Sequence, residues 1–204
     1  MPPITNLQVI NTAIPALSGL LGVLIGGALQ WWQADSIARR QRADAAQIAA
    51  RADAAAAKQA GDNQARAAYP LILHLEKFAY NCAEAVAAND EPDGKVTWVP
   101  ELSAWPPVNW ESLGPDWQVR LMDFARVLSL RKSYIRGDAA EAFDDADKRY
   151  TYSMGAANLG LDAWMLAAEL RRDAGIAKFD FPTDGWNYPE MMRDHLEEGL
   201  RDPA

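Results

Sequence analysis

The side chains of this chain that are best suited to chemistry are two histidines and one cysteine. His195 directly follows Asp194 in the segment RDHLEE. Neighbours in a helix do not face each other, and no nucleophile lies nearby in sequence, so a catalytic dyad is not expected. His74 is predicted to be a polar residue at the edge of a helix. Cys82 falls on an apolar helix face, which favours a small core residue over a nucleophile.

Acidic residues concentrate in EAFDDADKR, residues 141–149, but the segment lacks the glycine and the terminal glutamate of a calcium loop. Acids at the start of a helix are favoured by its dipole, which explains them without a ligand. The sequence contains no HExxH, CxxC, GxSxG, P-loop or GxGxxG motif. We therefore predict no catalytic residue, no metal site and no cofactor. An enzyme that uses carboxylates alone is the least favoured alternative.

A long uncharged segment near the amino end is the strongest feature of the sequence. Residues 13–32, AIPALSGLLGVLIGGALQWW, form a run that would be about 30 Å long as a helix, the thickness of the bilayer interior. Trp31 and Trp32 would then lie in the aromatic belt at the membrane surface. A cleaved signal peptide, a buried core helix and a surface-lying helix fit the pattern less well. We predict a transmembrane helix.

The charges on either side of this segment predict its orientation. Arg39, Arg40 and Arg42 follow it, whereas no charged side chain precedes it. The positive-inside rule places the short N-terminus, residues 1–12, outside the inner membrane of a bacterial cell and the C-terminal part in the cytoplasm. The three arginines would contact the headgroups of membrane lipid.

Small residues recur every fourth position inside the predicted span, at Ser18, Gly22 and Gly26. This spacing lets two membrane helices approach closely and predicts a homo-oligomer. Residues 33–63 follow as an alanine-rich segment without proline, which predicts a helical stalk. Ile37 and Ile48 are too few to drive a coiled coil alone, and Gly61-Asp62-Asn63 predicts a break.

Residues 64–204 are predicted to form an acidic helical cytoplasmic domain. From Ala67 onward there are 14 basic and 24 acidic residues, a net charge of −10, which argues against binding nucleic acid. A single cysteine excludes an internal disulfide framework. The periodicity of apolar residues predicts an all-α bundle of three long helices and one short helix. The predicted ranges are 70–89, 115–136, 138–172 and a short helix from 189.

Prolines and tryptophans cluster between the first two predicted helices of the domain, in NDEPDGKVTWVPELSAWPPVNWESLGPD. The proline density excludes a regular helix. Trp98, Trp105 and Trp110 are candidate partner-binding residues, because an aromatic groove can hold an extended or proline-rich peptide. The alternative, which we favour, is that these tryptophans cover the open end of a small helical core.

The span, the stalk and the missing active-site motifs together favour a function without catalysis. We expect a single-pass, membrane-anchored interaction or scaffold protein that self-associates and presents its acidic domain to a protein partner. The alternative is a membrane-active effector whose glycine-rich span oligomerises or perturbs the bilayer. The protein partner is not identified by any feature of the sequence.

Overall fold

The computed structural model describes residues 6–91, 94–181 and 185–201, apart from the side chains of residues 6–30 and 33–36. Within these ranges all regular secondary structure is helical, which confirms the predicted all-α class. Four helices and one short 3₁₀ turn follow in order: α1 (Asn6–Asp90), the turn Trp110–Ser112, α2 (Pro115–Glu141), α3 (Asp145–Asp173) and α4 (Tyr188–Arg201).

Helix α1 is longer than any helix predicted from the sequence, and two predictions about its course are wrong. The helix continues through Gly61-Asp62-Asn63, where a break was expected, and through Pro70, where a new helix was expected to begin. Interior glycine and proline cost a helix about 1 and about 3 kcal/mol. Ala68 and Leu71 on either side of Pro70 are fully buried, and this burial offsets the cost of the proline.

The chain divides into two compact units, Met1–Ala57 and Lys58–Ala204, and the boundary lies within α1. We call the second unit the helical domain. The predicted start of the acidic domain at residue 64 stays a prediction.

In the described part of the chain, no helix combines the length and the apolar character that crossing a bilayer requires. The helix-association residues Ser18, Gly22 and Gly26 and the remaining side chains of residues 13–30 lie outside the described side chains. Trp31 and Trp32 are exposed, as are Arg39, Arg40 and Arg42, and their predicted contact with lipid stays a prediction.

The boundary between α2 and α3 differs from the predicted one. Gly137 and Asp138 lie inside α2, which continues to Glu141. The N-cap of α3 is Asp144, whose carboxylate accepts a hydrogen bond from the backbone N–H of Asp147 at 2.9 Å. A glycine favours a helix end when a cap follows it, and here the capping carboxylate of Asp144 lies six residues after Asp138, the predicted cap.

The core of the helical domain forms where α1 and α3 pack against each other and against α2 and α4. The buried face of α3 consists mainly of small residues, whereas Tyr150 of α3 and Phe143, which precedes the helix, are exposed. Small side chains let the helices approach closely: the α carbon of Gly160 faces Cys82 of α1 and Met192 of α4. Burial raises the pKa of the Cys82 thiol to about 12, so this cysteine is a protonated core residue at neutral pH.

Candidate functional site

The segment between α1 and α2, residues 94–114, is held against the helices by polar side chains that reach its backbone. The Asn89 side chain donates to the carbonyl of Thr97 at 2.8 Å and accepts from its N–H at 2.7 Å. Lys132, a buried lysine of α2, donates to the carbonyl of Pro100 at 2.9 Å. Ser103 contacts His74 through its carbonyl, 3.0 Å from the ring Nε2. These contacts satisfy backbone groups that a segment without regular structure would otherwise leave unpaired.

The three candidate tryptophans lie in different surroundings along this segment. The ring of Trp105 lies 5.3 Å from His74 and 6.3 Å from Trp110, and both tryptophans are partly buried against the core. Trp98 is 61% exposed and packs on Tyr152 of α3, with ring centroids 5.1 Å apart. The structure therefore places Trp105 and Trp110 together and Trp98 apart from them. A partner-binding role of these residues stays a prediction.

Glu101 of this segment forms ion pairs with Lys132 and Arg136 of α2, and these pairs make the attachment of the segment dependent on pH. The Glu101 carboxylate lies 2.5 Å from Lys132 Nζ and 3.0 Å from Arg136 Nη2. The hydrogen bond from Lys132, together with the positive charges of Lys132 and Arg136, lowers the pKa of Glu101 below its usual 4.5. A carboxyl whose pKa is lower in the folded state stabilises the fold above its usual pKa and loses that contribution as pH falls through the lowered value.

We therefore expect Glu101→Gln to lower the melting temperature at neutral pH by a few degrees, because the side chain is mostly exposed and its ion pairs are screened. The difference from the unmodified chain should shrink as pH falls from 4.5 through the lowered pKa of Glu101. Thermal unfolding followed by circular dichroism between pH 3 and 7 measures this difference in melting temperature. Glu111→Gln, an exposed glutamate in the same segment, is the control; an equal loss at all pH values would contradict the assignment.

A cluster of three polar side chains joins α1, α3 and α4. Ser153 Oγ lies 2.6 Å from His195 Nε2, and His195 Nδ1 lies 3.6 Å from Asp90 Oδ2. Burial raises the pKa of the Asp90 carboxyl, while the charge of His195 acts in the opposite direction. The order of the groups is that of a hydrolase triad, in which the acid orients the histidine and the histidine accepts the proton of the serine.

Access and surroundings argue against a nucleophilic role for Ser153. The residue is 1% exposed, and it lies within α3, where the neighbouring backbone N–H groups are engaged in the helix rather than available to an oxyanion. The cluster instead satisfies polar groups at the junction of three helices. Sequence analysis missed it because Ser153 and Asp90 lie 42 and 105 positions from His195, and no local pattern marks either residue.

The exposed side of α2 carries a stripe of apolar residues with helical spacing. Its members are more than one third exposed: Val119, Met122, Val127, Leu130 and Tyr134. The opposite side of the same helix contributes Trp117, Leu121 and Leu128 to the core. Helix α2 is therefore apolar on two faces, of which the domain covers one. We call the five exposed residues the α2 stripe.

One pair of charged residues interrupts the α2 stripe near its middle. Arg126 Nη2 lies 3.3 Å from Asp123 Oδ1, and both side chains are more than half exposed. An exposed pair one turn apart adds little to helix stability, so these charges remain available to a second surface. The α2 stripe is the candidate interaction surface of the helical domain.

Comparison of the sequence with protein-family models and with curated proteins gave no match, and comparison with solved structures gave none either.

Proposed function

We propose that the protein is a single-pass, membrane-anchored scaffold that self-associates and presents its acidic helical domain to a protein partner. The observation that supports self-association best is the α2 stripe. Large apolar surfaces on a small domain are commonly interaction sites, and a helix with apolar residues on both faces needs a second packing partner.

A second copy of the chain suits the α2 stripe because its sequence is complementary to itself. In an antiparallel pair of α2 helices with a two-fold axis between positions 124 and 125, Val119 faces Leu130 of the other copy and Met122 faces Val127. Asp123 of each copy then faces Arg126 of the other. Apolar residues meet apolar residues and each charge meets its opposite, which is what an isologous interface requires.

Membrane attachment and self-association support each other in this proposal. Two copies held in the same membrane have a high effective concentration, so an interface of one helix from each copy is sufficient for association. The net charge of −10 from Ala67 onward repels an anionic membrane surface and favours a partner with basic side chains.

Crosslinking in membranes tests the proposal on the full chain. Arg126→Cys places a thiol beside the proposed two-fold axis, and the buried native Cys82 should not react. In membranes pelleted from cells that express this variant, a short bismaleimide is expected to give a dimer. Adding Leu130→Asp should reduce the dimer at least five-fold, because the aspartate would face Val119 of the other copy.

Met165→Cys is the matched control, because Met165 is exposed on α3 and lies outside the α2 stripe. Equal crosslinking at positions 126 and 165 would contradict the interface. Recovery of the chain in the supernatant would contradict membrane attachment, whatever the crosslinking shows.

A further inference from the structure

The helical domain contains a cavity of about 590 Å³ between α1, α3 and the segment that follows α3. Trp164, Ile176 and Phe179 provide apolar walls, and the Trp164 and Phe179 rings stand perpendicular with centroids 5.8 Å apart. The volume lies within the range of ordinary small-molecule sites. None of these residues belongs to the α2 stripe or to the Ser153 cluster.

A buried ion pair lies at the wall of this cavity. Arg171 Nη2 donates to Glu76 Oε1 at 2.6 Å, and the two side chains are only 10% and 8% exposed. Arg171 Nη1 donates to the carbonyl of Ala177 at 3.0 Å, which holds the segment after α3 against the guanidinium. Charged residues are rarely buried to this extent in a small domain, so their position beside a cavity suggests a binding role.

The guanidinium of Arg171 has hydrogen-bonding capacity that its neighbours do not use. Its Nε is buried and has no hydrogen-bond partner in the described part of the chain. An arginine that keeps a donor without an acceptor is incompletely neutralised, so its positive charge favours a further anion nearby.

The charge of the cavity wall differs in sign from that of the domain. Two carboxylates, Glu76 and Glu169, line the cavity together with three cations, Arg171, Arg172 and Lys178. Glu169 is paired with Arg120 of α2, Glu76 with Arg171 and Arg172 with its neighbour Asp173. Among the described residues at the cavity, the charge of Lys178 is left in excess. The local balance is positive although the domain is strongly acidic, and this favours an anion.

We propose that this cavity binds a small aromatic carboxylate. The ring of the ligand would pack between Trp164, Ile176 and Phe179, as aromatic groups do in apolar sites. Its carboxylate would bind the exposed Lys178 and lie in the field of the positively charged Arg171 at the cavity wall. This site is independent of self-association, because it uses α1, α3 and the segment after α3.

Calorimetric titration of the full chain tests the proposal with benzoate, indole-3-acetate and 2-naphthoate, and with the uncharged amide of each. At least one carboxylate is expected to bind saturably with one site per chain, and its amide at least ten-fold more weakly. Lys178→Gln should weaken the carboxylate several-fold and leave the amide unchanged.

Two tryptophan substitutions distinguish the cavity from unspecific binding. Ala168→Trp adds a large side chain at the cavity from an exposed helix position, and is expected to abolish saturable binding. Ala140→Trp, at an exposed position of α2 away from the cavity, should bind as the unmodified chain does. The proposal is overturned if none of the three carboxylates binds saturably, if the amides bind equally well, or if both tryptophan variants behave alike.

Discussion

Replacement of Glu76 by leucine is expected to lower the free energy of unfolding of the helical domain by about 3–5 kcal/mol. The substitution removes the carboxylate that Arg171 Nη2 contacts at 2.6 Å and leaves a guanidinium that is only 10% exposed. A buried charge that loses its partner retains the cost of its desolvation without the attraction that offset it. The hydrogen bond to the carbonyl of Ala177 replaces only part of that attraction.

The double variant Glu76→Leu with Arg171→Met separates this mechanism from simple loss of packing. Both charges are then absent, so we expect its stability to return to within about 1–2 kcal/mol of the unmodified chain, or to exceed it. Denaturant unfolding monitored by circular dichroism measures the free energy of unfolding of the two single variants and of the double variant. If the two single losses of stability simply added up in the double variant, Glu76 and Arg171 would not be energetically coupled. That result would contradict the ion-pair mechanism.

The second large effect is expected at Gly160, where α3 meets both α1 and α4. A β carbon added there would lie 2.8 Å from the Cβ of Cys82 and 2.6 Å from the Sδ of Met192. Met192 can change rotamer, but the Cβ of Cys82 is attached directly to the backbone of α1, so the two helices would have to separate. We expect Gly160→Ala to destabilise the domain by about 1–3 kcal/mol, as overpacking does.

Gly137→Ala is the matched control for this prediction. Gly137 also lies inside a helix, but apart from the adjacent residues and backbone of that helix, no atom of the described chain lies within 4 Å of the position that its β carbon would occupy. Alanine there should stabilise the domain by about 0.5–1 kcal/mol, through the higher helix propensity of alanine. Opposite signs for the two substitutions in thermal unfolding are the expected result. A stabilising Gly160→Ala would show that α1 and α3 are less closely packed than the structure describes.

Local patterns in the sequence predicted that the domain is helical and roughly where its helices lie. They did not predict the helix boundaries near Pro70 and Gly137 correctly. The apolar periodicity of α2 and the capping preferences around α3 are short-range properties, which a sequence displays directly. Pro70 was interpreted as the first turn of a helix, where proline is tolerated, and Gly137 as a helix end, where glycine is common. In both cases the helix continues, because burial of the neighbouring residues or the absence of a competing cap outweighs a local cost.

Apolar periodicity identifies the buried face of α3 only in part, for a physical reason. The buried positions of α3 are mainly alanine, glycine and serine, whereas its larger residues Leu161 and Trp164 are partly buried against the core and Tyr150 is exposed. A helix at the centre of a bundle needs small side chains, because its neighbours approach it from several sides. The periodicity of large residues therefore identifies only part of the buried face of such a helix.

By itself the sequence determined the helical class, the acidity of the domain, the single buried thiol and the apolar spacing along α2, because each depends on composition or on residues within a few turns. Only the tertiary structure brought together Glu76 with Arg171, 95 positions apart, and Asp90 with Ser153 and His195. Such pairs depend on how helices cross rather than on any local pattern. The cavity beside Arg171 arises in the same way, since its walls belong to α1, to α3 and to the segment after α3.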